Sequence, residues 1–175
     1  MMDDQSDQWL IDRAVAGEAR AFARLLERHY DFIFRVAYKW CGTRADAEDV
    51  TQDVCVKLGQ AIHGFKAQAA FTSWLYRVTL NAVRDFQRSR STRIERTAAM
   101  AFVTLDAEEP DPESDLTRSQ LWQAVRQLPE KQRDAMLLVF AEDLSHGAAA
   151  KIMECAESTV SWHIHEAKKK LKELL

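Results

Sequence analysis

The chain is 175 residues long, 47% hydrophobic and 29% charged, with 24 Lys and Arg against 27 Asp and Glu. That balance excludes wholesale disorder, and five Gly and three Pro are too few for a turn-rich β sandwich. No apolar run reaches the roughly 18–20 residues that cross a bilayer, and the acidic start MMDDQSDQWL excludes a secretory signal, so a cytoplasmic location is expected.

The first predicted helix covers residues 6–16, with Ser6 as cap, Trp9, Leu10 and Val15 as apolar positions, and Gly17 as terminator. A strong stripe follows: Phe22, Leu25, Leu26, His29, Ile33, Val36, Ala37 and Trp40 recur at the spacing of one face of an α-helix, which Gly42 ends. Thr43 and the acids Asp46, Glu48 and Asp49 suit the start of a third helix, where negative charge meets the positive end of the dipole. Val50, Val54 and Leu58 continue it along one side, and Gly64 breaks the pattern. A fourth helix is expected from about Thr72 to Arg90. Trp74, Leu75, Val78 and Ala82 face inward, while Tyr76, Arg77, Asn81, Arg84 and Arg88 lie largely on other faces.

Charge divides the chain. Residues 1–90 hold 13 basic and 12 acidic residues (net +1), residues 91–116 hold 2 and 7 (net −5), and residues 117–175 hold 9 and 8 (net +1). The acidic stretch around Asp106–Asp115 contains two of the three prolines and little apolar material, the composition of a flexible linker. Two domains are therefore expected, residues 1–92 and 117–175, joined by a linker over 93–116. Beyond it, Leu121, Trp122, Val125 and Leu128 mark a helix that Pro129 stops, and Met136, Leu137, Val139 and Phe140 carry the next. Leu144 to Met153, a break at Glu154–Glu157 and a last helix from Ser158 complete the chain. No alternation of strand type occurs, so both domains are expected to be all α.

Two short helices joined by about four residues have helix-turn-helix spacing. Ala149, Ile152, Val160 and Ile164 can pack them together, leaving Ser158, Thr159, Ser161, Trp162, His163 and His165 near a DNA major groove. Glu154 stands where the turn usually has Gly. An ordinary helical hairpin is the alternative. A second constellation, Phe71–Phe86, interleaves aromatics with Arg and Asn on one helix, a chemistry suited to melted DNA: aromatic faces hold unstacked bases and Arg follows phosphates. For Trp74 and Phe86 a place in the core explains the residue equally well.

Four segments in register resemble the extracytoplasmic-function sigma factors, the smallest class of bacterial transcription initiation factors. Gly17–Phe22 resembles the opening of the family's second sigma domain, and Asp46–Val54 its acidic core-polymerase-binding helix. Phe71–Asn81 resembles its promoter-melting helix; Leu128–Arg133, Leu144–Ser145 and Ser158–Val160 resemble its fourth sigma domain. The resemblance implies that Asp46, Asp49, Gln52 and Asp53 dock on RNA polymerase core, where an acidic helix needs a basic partner. It implies that Phe65, Lys66 and the loop to Phe71 capture a flipped base of the −10 element, with Trp74, Arg77, Asn81, Arg84 and Arg88 forming the adjoining −10 surface. The last helix, Ser158 to Lys168, would read the −35 element. His163, His165 and Glu166 stand where the family commonly has basic or aromatic residues, so weaker phosphate contact or an unusual −35 sequence is expected. The resemblance also implies control by an anti-sigma factor, and the acidic linker would thread near the polymerase channel.

The rival readings are a stand-alone helix-turn-helix regulator, which would bind duplex DNA unaided, and an enzyme. The sequence has no P-loop, glycine-rich fingerprint, HExxH or GxSxG. His163 and His165 diverge on a helix, and the Asp46–Asp53 cluster lacks the Gly and end-carboxylate of a calcium loop. No cofactor, metal site or membrane insertion is expected. Cys41, Cys55 and Cys155 lack CxxC spacing and are expected as small buried apolar residues, with a redox or zinc role as the alternative.

Overall fold

Ser6 opens the first helix: its hydroxyl accepts the Trp9 backbone N–H at 3.3 Å, satisfying one of the donors that a helix start leaves unpaired. The computed structural model describes residues 6–67, 70–98 and 116–175, and among these every regular element is helical. The chain divides into two compact units, Met1–Phe102 and Val103–Leu175.

In the first unit α1 (Asp7–Val15) leads through Gly17, whose φ of +91° an L side chain rarely adopts, to the long α2 (Ala19–Cys41). The stripe read from the sequence is buried at Leu25, His29, Ile33, Val36, Ala37 and Trp40, whereas Phe22 and Leu26 flank it half-buried. Gly42, at φ +83°, ends α2 in a left-handed cap. Thr43 then caps α3 (Arg44–Ala61) by accepting the Asp46 N–H at 3.2 Å. Val50, Val54 and Leu58 are buried, each stabilising the fold by about 1.5–3 kcal/mol through removal of apolar surface from water. A 3₁₀ turn over Ile62–Gly64 leads toward α4 (Phe71–Ala98).

α4 differs from the sequence expectation in two ways. It continues to Ala98, so residues 93–98, expected as linker, are helical; so is Leu116 at the other end. The rest of the expected linker, 99–115, lies outside the described residues. Tyr76, expected on an outer face, is 4% exposed: its ring meets Phe32 and Trp40 edge-on, with centroids 5.8 Å away in each case. Leu75, Thr79, Leu80, Ala82 and Val83 are buried beside it, and Trp74 and Val78 are only half-buried. The buried hydroxyls of Thr51 and Thr79 donate to the carbonyls four residues earlier, at 2.6 and 2.9 Å, so burial leaves neither unsatisfied.

The second unit contains α5 (Leu116–Gln127), α6 (Glu130–Met136), a wider π-helical turn over Leu137–Ala141, α7 (His146–Met153) and α8 (Glu157–Leu174). Pro129 occupies the cap position of α6. Ala149, Ile152, Val160 and Ile164 are buried, as the packing of a helix-turn-helix requires. Ser145 caps α7 by accepting the Ala148 N–H at 3.1 Å. Glu154 ends α7 at φ +54°, and the Cys155 N–H donates to the Ala150 carbonyl at 3.1 Å, the six-to-one bond of a Schellman turn. The expected glycine position is thus a true left-handed one, occupied by Glu. The three cysteines are half-buried and free of disulfides, and no described helix is long and apolar enough to cross a membrane.

Candidate functional site

The exposed side of α4 carries the first arrangement. Trp74, Arg77, Asn81, Arg84 and Arg88 recur at offsets of 0, 3, 7, 10 and 14, one helix face about 21 Å long at 1.5 Å per residue. Asn81 and Arg88 are exposed; Trp74, Arg77 and Arg84 are half-buried. The Arg84 guanidinium donates to the Asn81 side-chain oxygen at 3.3 Å, and Arg88 lies 3.7 Å from Asp85. At the N-terminal end of this face stands a triangle of rings. Phe65–Phe71, Phe65–Trp74 and Phe71–Trp74 have centroids 5.4, 5.4 and 5.6 Å apart. Phe71 is the buried corner at 7% exposure, and Phe65 and Trp74 are partly open. Lys66 is exposed, and Ala67 beside it holds φ +53°, a strained value for a residue with a Cβ. Partly open aromatic faces followed by a cationic track suit an unstacked base and the phosphates beyond it.

α3 presents a second surface. Asp49, Gln52, Asp53 and Val56, at offsets 0, 3, 4 and 7, share an exposed face. Asp53 pairs with Lys57 one turn on at 2.7 Å, a hydrogen bond that raises the lysine pKa. Asp46 is placed differently from these: its carboxylate pairs with Arg90 of α4, and its side chain is 19% exposed. Val56 escaped the sequence reading. It is 79% exposed, an apolar side chain at the end of an acidic face, and the available signal was its position out of phase with Val50, Val54 and Leu58.

In the second unit Ser158, Ser161, Trp162, His165 and Lys168 are exposed on α8, and Thr159 is half-buried. Ser161 is held in place: its hydroxyl donates to the Glu157 carbonyl at 3.2 Å and lies 2.8 Å from His146 Nδ1. Both bonds are satisfied when the imidazole carries its proton on Nδ1. His146 thereby joins α7 to α8, a contact the sequence reading missed. Lys168 stands over the exposed Phe140 ring, with Nζ 5.0 Å from the centroid. His163 meets the Trp162 ring edge-on, with centroids 5.0 Å apart. It is half-buried, with Nδ1 enclosed and lacking a hydrogen-bond partner among the described residues. Burial pushes its pKa down, the neighbouring Lys131 adds to that, and Asp134 opposes it.

Residues 25–93 match the Sigma-70 region 2 family and residues 118–171 match Sigma-70 region 4, so the matches fall on α2–α4 and on α5–α8. Over 177 residues the chain is 31% identical to the ECF RNA polymerase sigma factor SigM of Mycobacterium tuberculosis, covering 98% of this chain and 86% of that one. The chain belongs to the extracytoplasmic-function RNA polymerase sigma factors. Among solved structures, the fold resembles that of the Bartonella quintana sigma factor RpoE in complex with the anti-sigma factor NepR. That likeness has a TM-score of 0.69 and 24% identity, and covers 89% of this chain and 97% of that one. An engineered region 2 of sigmaE bound to GTAAAA is similar at a TM-score of 0.50 and 26% identity, over 54% of this sigma factor and 99% of that chain.

Proposed function

We propose that the chain binds RNA polymerase core through α3, places α8 on the −35 duplex, and holds the −10 element along α4 while its strands separate. Asp49, Gln52, Asp53 and Val56 form the polymerase face, an acidic helix surface with an apolar contact at its end. Phe65, Lys66, Phe71 and Trp74 capture a base; Arg77, Asn81, Arg84 and Arg88 follow the backbone. Ser158, Thr159, Ser161, Trp162, His165 and Lys168 meet the −35 groove. The observation that carries the reading is the continuous face from the aromatic triangle through Asn81 to Arg88. The bound anti-sigma factor and hexanucleotide of the two similar structures support an anti-sigma partner and single-stranded promoter binding. The factor acts in the cytoplasm and makes no bond in a substrate itself.

Run-off transcription with core polymerase on genomic templates tests the proposal, with Asp49→Lys and Asn81→Ala beside the wild-type chain. The expected result is specific initiation by wild type, lost core binding for Asp49→Lys, and retained core binding with weak strand opening for Asn81→Ala. Failure of wild type to direct initiation would refute it.

A further inference from the structure

His29 is the only buried histidine among the described residues, and none of the surfaces assigned above uses it. Its Nε2 lies 2.9 Å from Asp7 Oδ2 on α1, while Asp7 Oδ1 accepts from Arg28 Nη1 at 2.8 Å. Burial raises the Asp7 pKa, but the Arg28 and His29 contacts outweigh it and hold the carboxyl below its ordinary range. The imidazole also meets Phe71 edge-on, with centroids 5.1 Å apart at 66°. Phe71 is the first residue of α4 and the buried corner of the aromatic triangle. α1 packs in addition against Ile62–Gly64, the turn that ends at Phe65. One short helix therefore backs the triangle twice: through His29 onto Phe71, and through the 3₁₀ turn onto Phe65.

We infer that the Asp7–His29 pair is a positioning device that fixes the Phe65–Phe71–Trp74 triangle for capture of an unstacked base. The inference rests on the reading of that triangle as the capture site. Stacking contacts are steep in distance: a gap of about 0.5–1 Å forfeits a quarter to a half of each one. An imidazole fixed at Nε2 cannot swing, so it holds the Phe71 ring at one depth. Phosphate contacts along Arg84 and Arg88 are tolerant of such shifts and carry no sequence information. Loosening His29 thus lowers discrimination between bases far more than it lowers total DNA retention.

The test uses holoenzyme assembled from full-length chain and core polymerase, incubated with a randomised single-stranded octanucleotide library, and the bound fraction sequenced. Wild type is expected to enrich one base at the captured position. Asp7→Ala is expected to reduce that enrichment by roughly five- to tenfold, within the range a single base–aromatic stack supplies, with total retention changed less than about twofold. Asp7→Asn, which keeps a hydrogen-bonding partner for the imidazole, is expected to restore most of the enrichment. Asp7 is partly exposed, so both variants should fold; thermal melts and core binding check this. An unchanged Asp7→Ala profile, an equal loss across all sequences, or no recovery with Asp7→Asn overturns the inference. If wild type enriches no base, the capture-site reading fails first and the inference falls with it.

Discussion

Replacing Glu154 with Gly should stabilise the second unit. Glu154 sits at φ +54° and ψ +47° in the turn between α7 and α8, where a Cβ crowds the backbone. A left-handed conformation costs an L residue about 1–2 kcal/mol, which Gly avoids. Gly also frees the unfolded chain, which takes back about 0.4–1 kcal/mol. The net expected gain is about 0.5–1 kcal/mol, or roughly 2–8 °C in Tm for a unit of this size. Glu154 makes a further interaction, so Glu154→Ala belongs beside Glu154→Gly: Ala removes the side chain beyond the Cβ and keeps the left-handed cost. Calorimetry on the full chain, with hydrogen exchange at Val160 and Ile164 to assign the transition to α8, measures both variants. Gly is expected to exceed Ala by the same margin of about 0.5–1 kcal/mol, since Ala carries the same left-handed cost as Glu. Equal stability of the two would show that the turn stores no backbone strain.

Two further outcomes follow from local chemistry in the same unit. The depressed pKa of His163 means that the unfolded chain binds a proton more readily than the folded one. Stability should therefore fall as pH drops below about 6.5 toward the lower folded value, and His163→Gln should flatten that decline in urea titrations at pH 7.5 and 5.5. Ser145→Ala removes the acceptor of the Ala148 N–H and should cost about 1 kcal/mol, read as a lower urea midpoint at unchanged slope.

Much of the fold was legible because periodicity and caps are local. The α2 stripe, the Ser6 and Thr43 caps and the Gly42 stop all act within a few residues of sequence, and each stands where expected. What was not legible depends on distant partners. Tyr76 looks like a surface aromatic among Arg and Asn until Phe32 and Trp40 of α2 close around it. Asp46 looks equivalent to Asp49 until Arg90, far along the chain, takes its carboxylate. His163 looks as open as His165 until the packing leaves it half-buried, with its ring edge-on to Trp162. The resemblance pointed to segments only; which side chains in each segment are open followed from the packing.

The Asp46–Arg90 pair bears on why an acidic protein can hold DNA at all. Between residues 44 and 61, α3 carries Arg44 and Lys57 against Asp46, Glu48, Asp49 and Asp53, or 2 − 4 = −2. Between residues 71 and 92, α4 carries Arg77, Arg84, Arg88 and Arg90 against Asp85, or 4 − 1 = +3. The two helices pack together, so the field of α3 opposes phosphate binding on α4, and Asp46 directly occupies one of the four arginines between residues 71 and 92. Asp46→Asn should release Arg90. In the free chain, binding to a single-stranded oligonucleotide should tighten at low salt, and the slope of log K against log salt should steepen by about 0.7, the value for one added phosphate contact on a single strand. Glu48→Gln makes the same change in net charge but frees Arg44, which lies over Phe34 of α2 instead of on the α4 track. Fluorescence anisotropy across a salt series separates the two. A steeper slope in both variants would mean that net charge alone governs binding; no change in either would mean that Arg90 never reaches the strand.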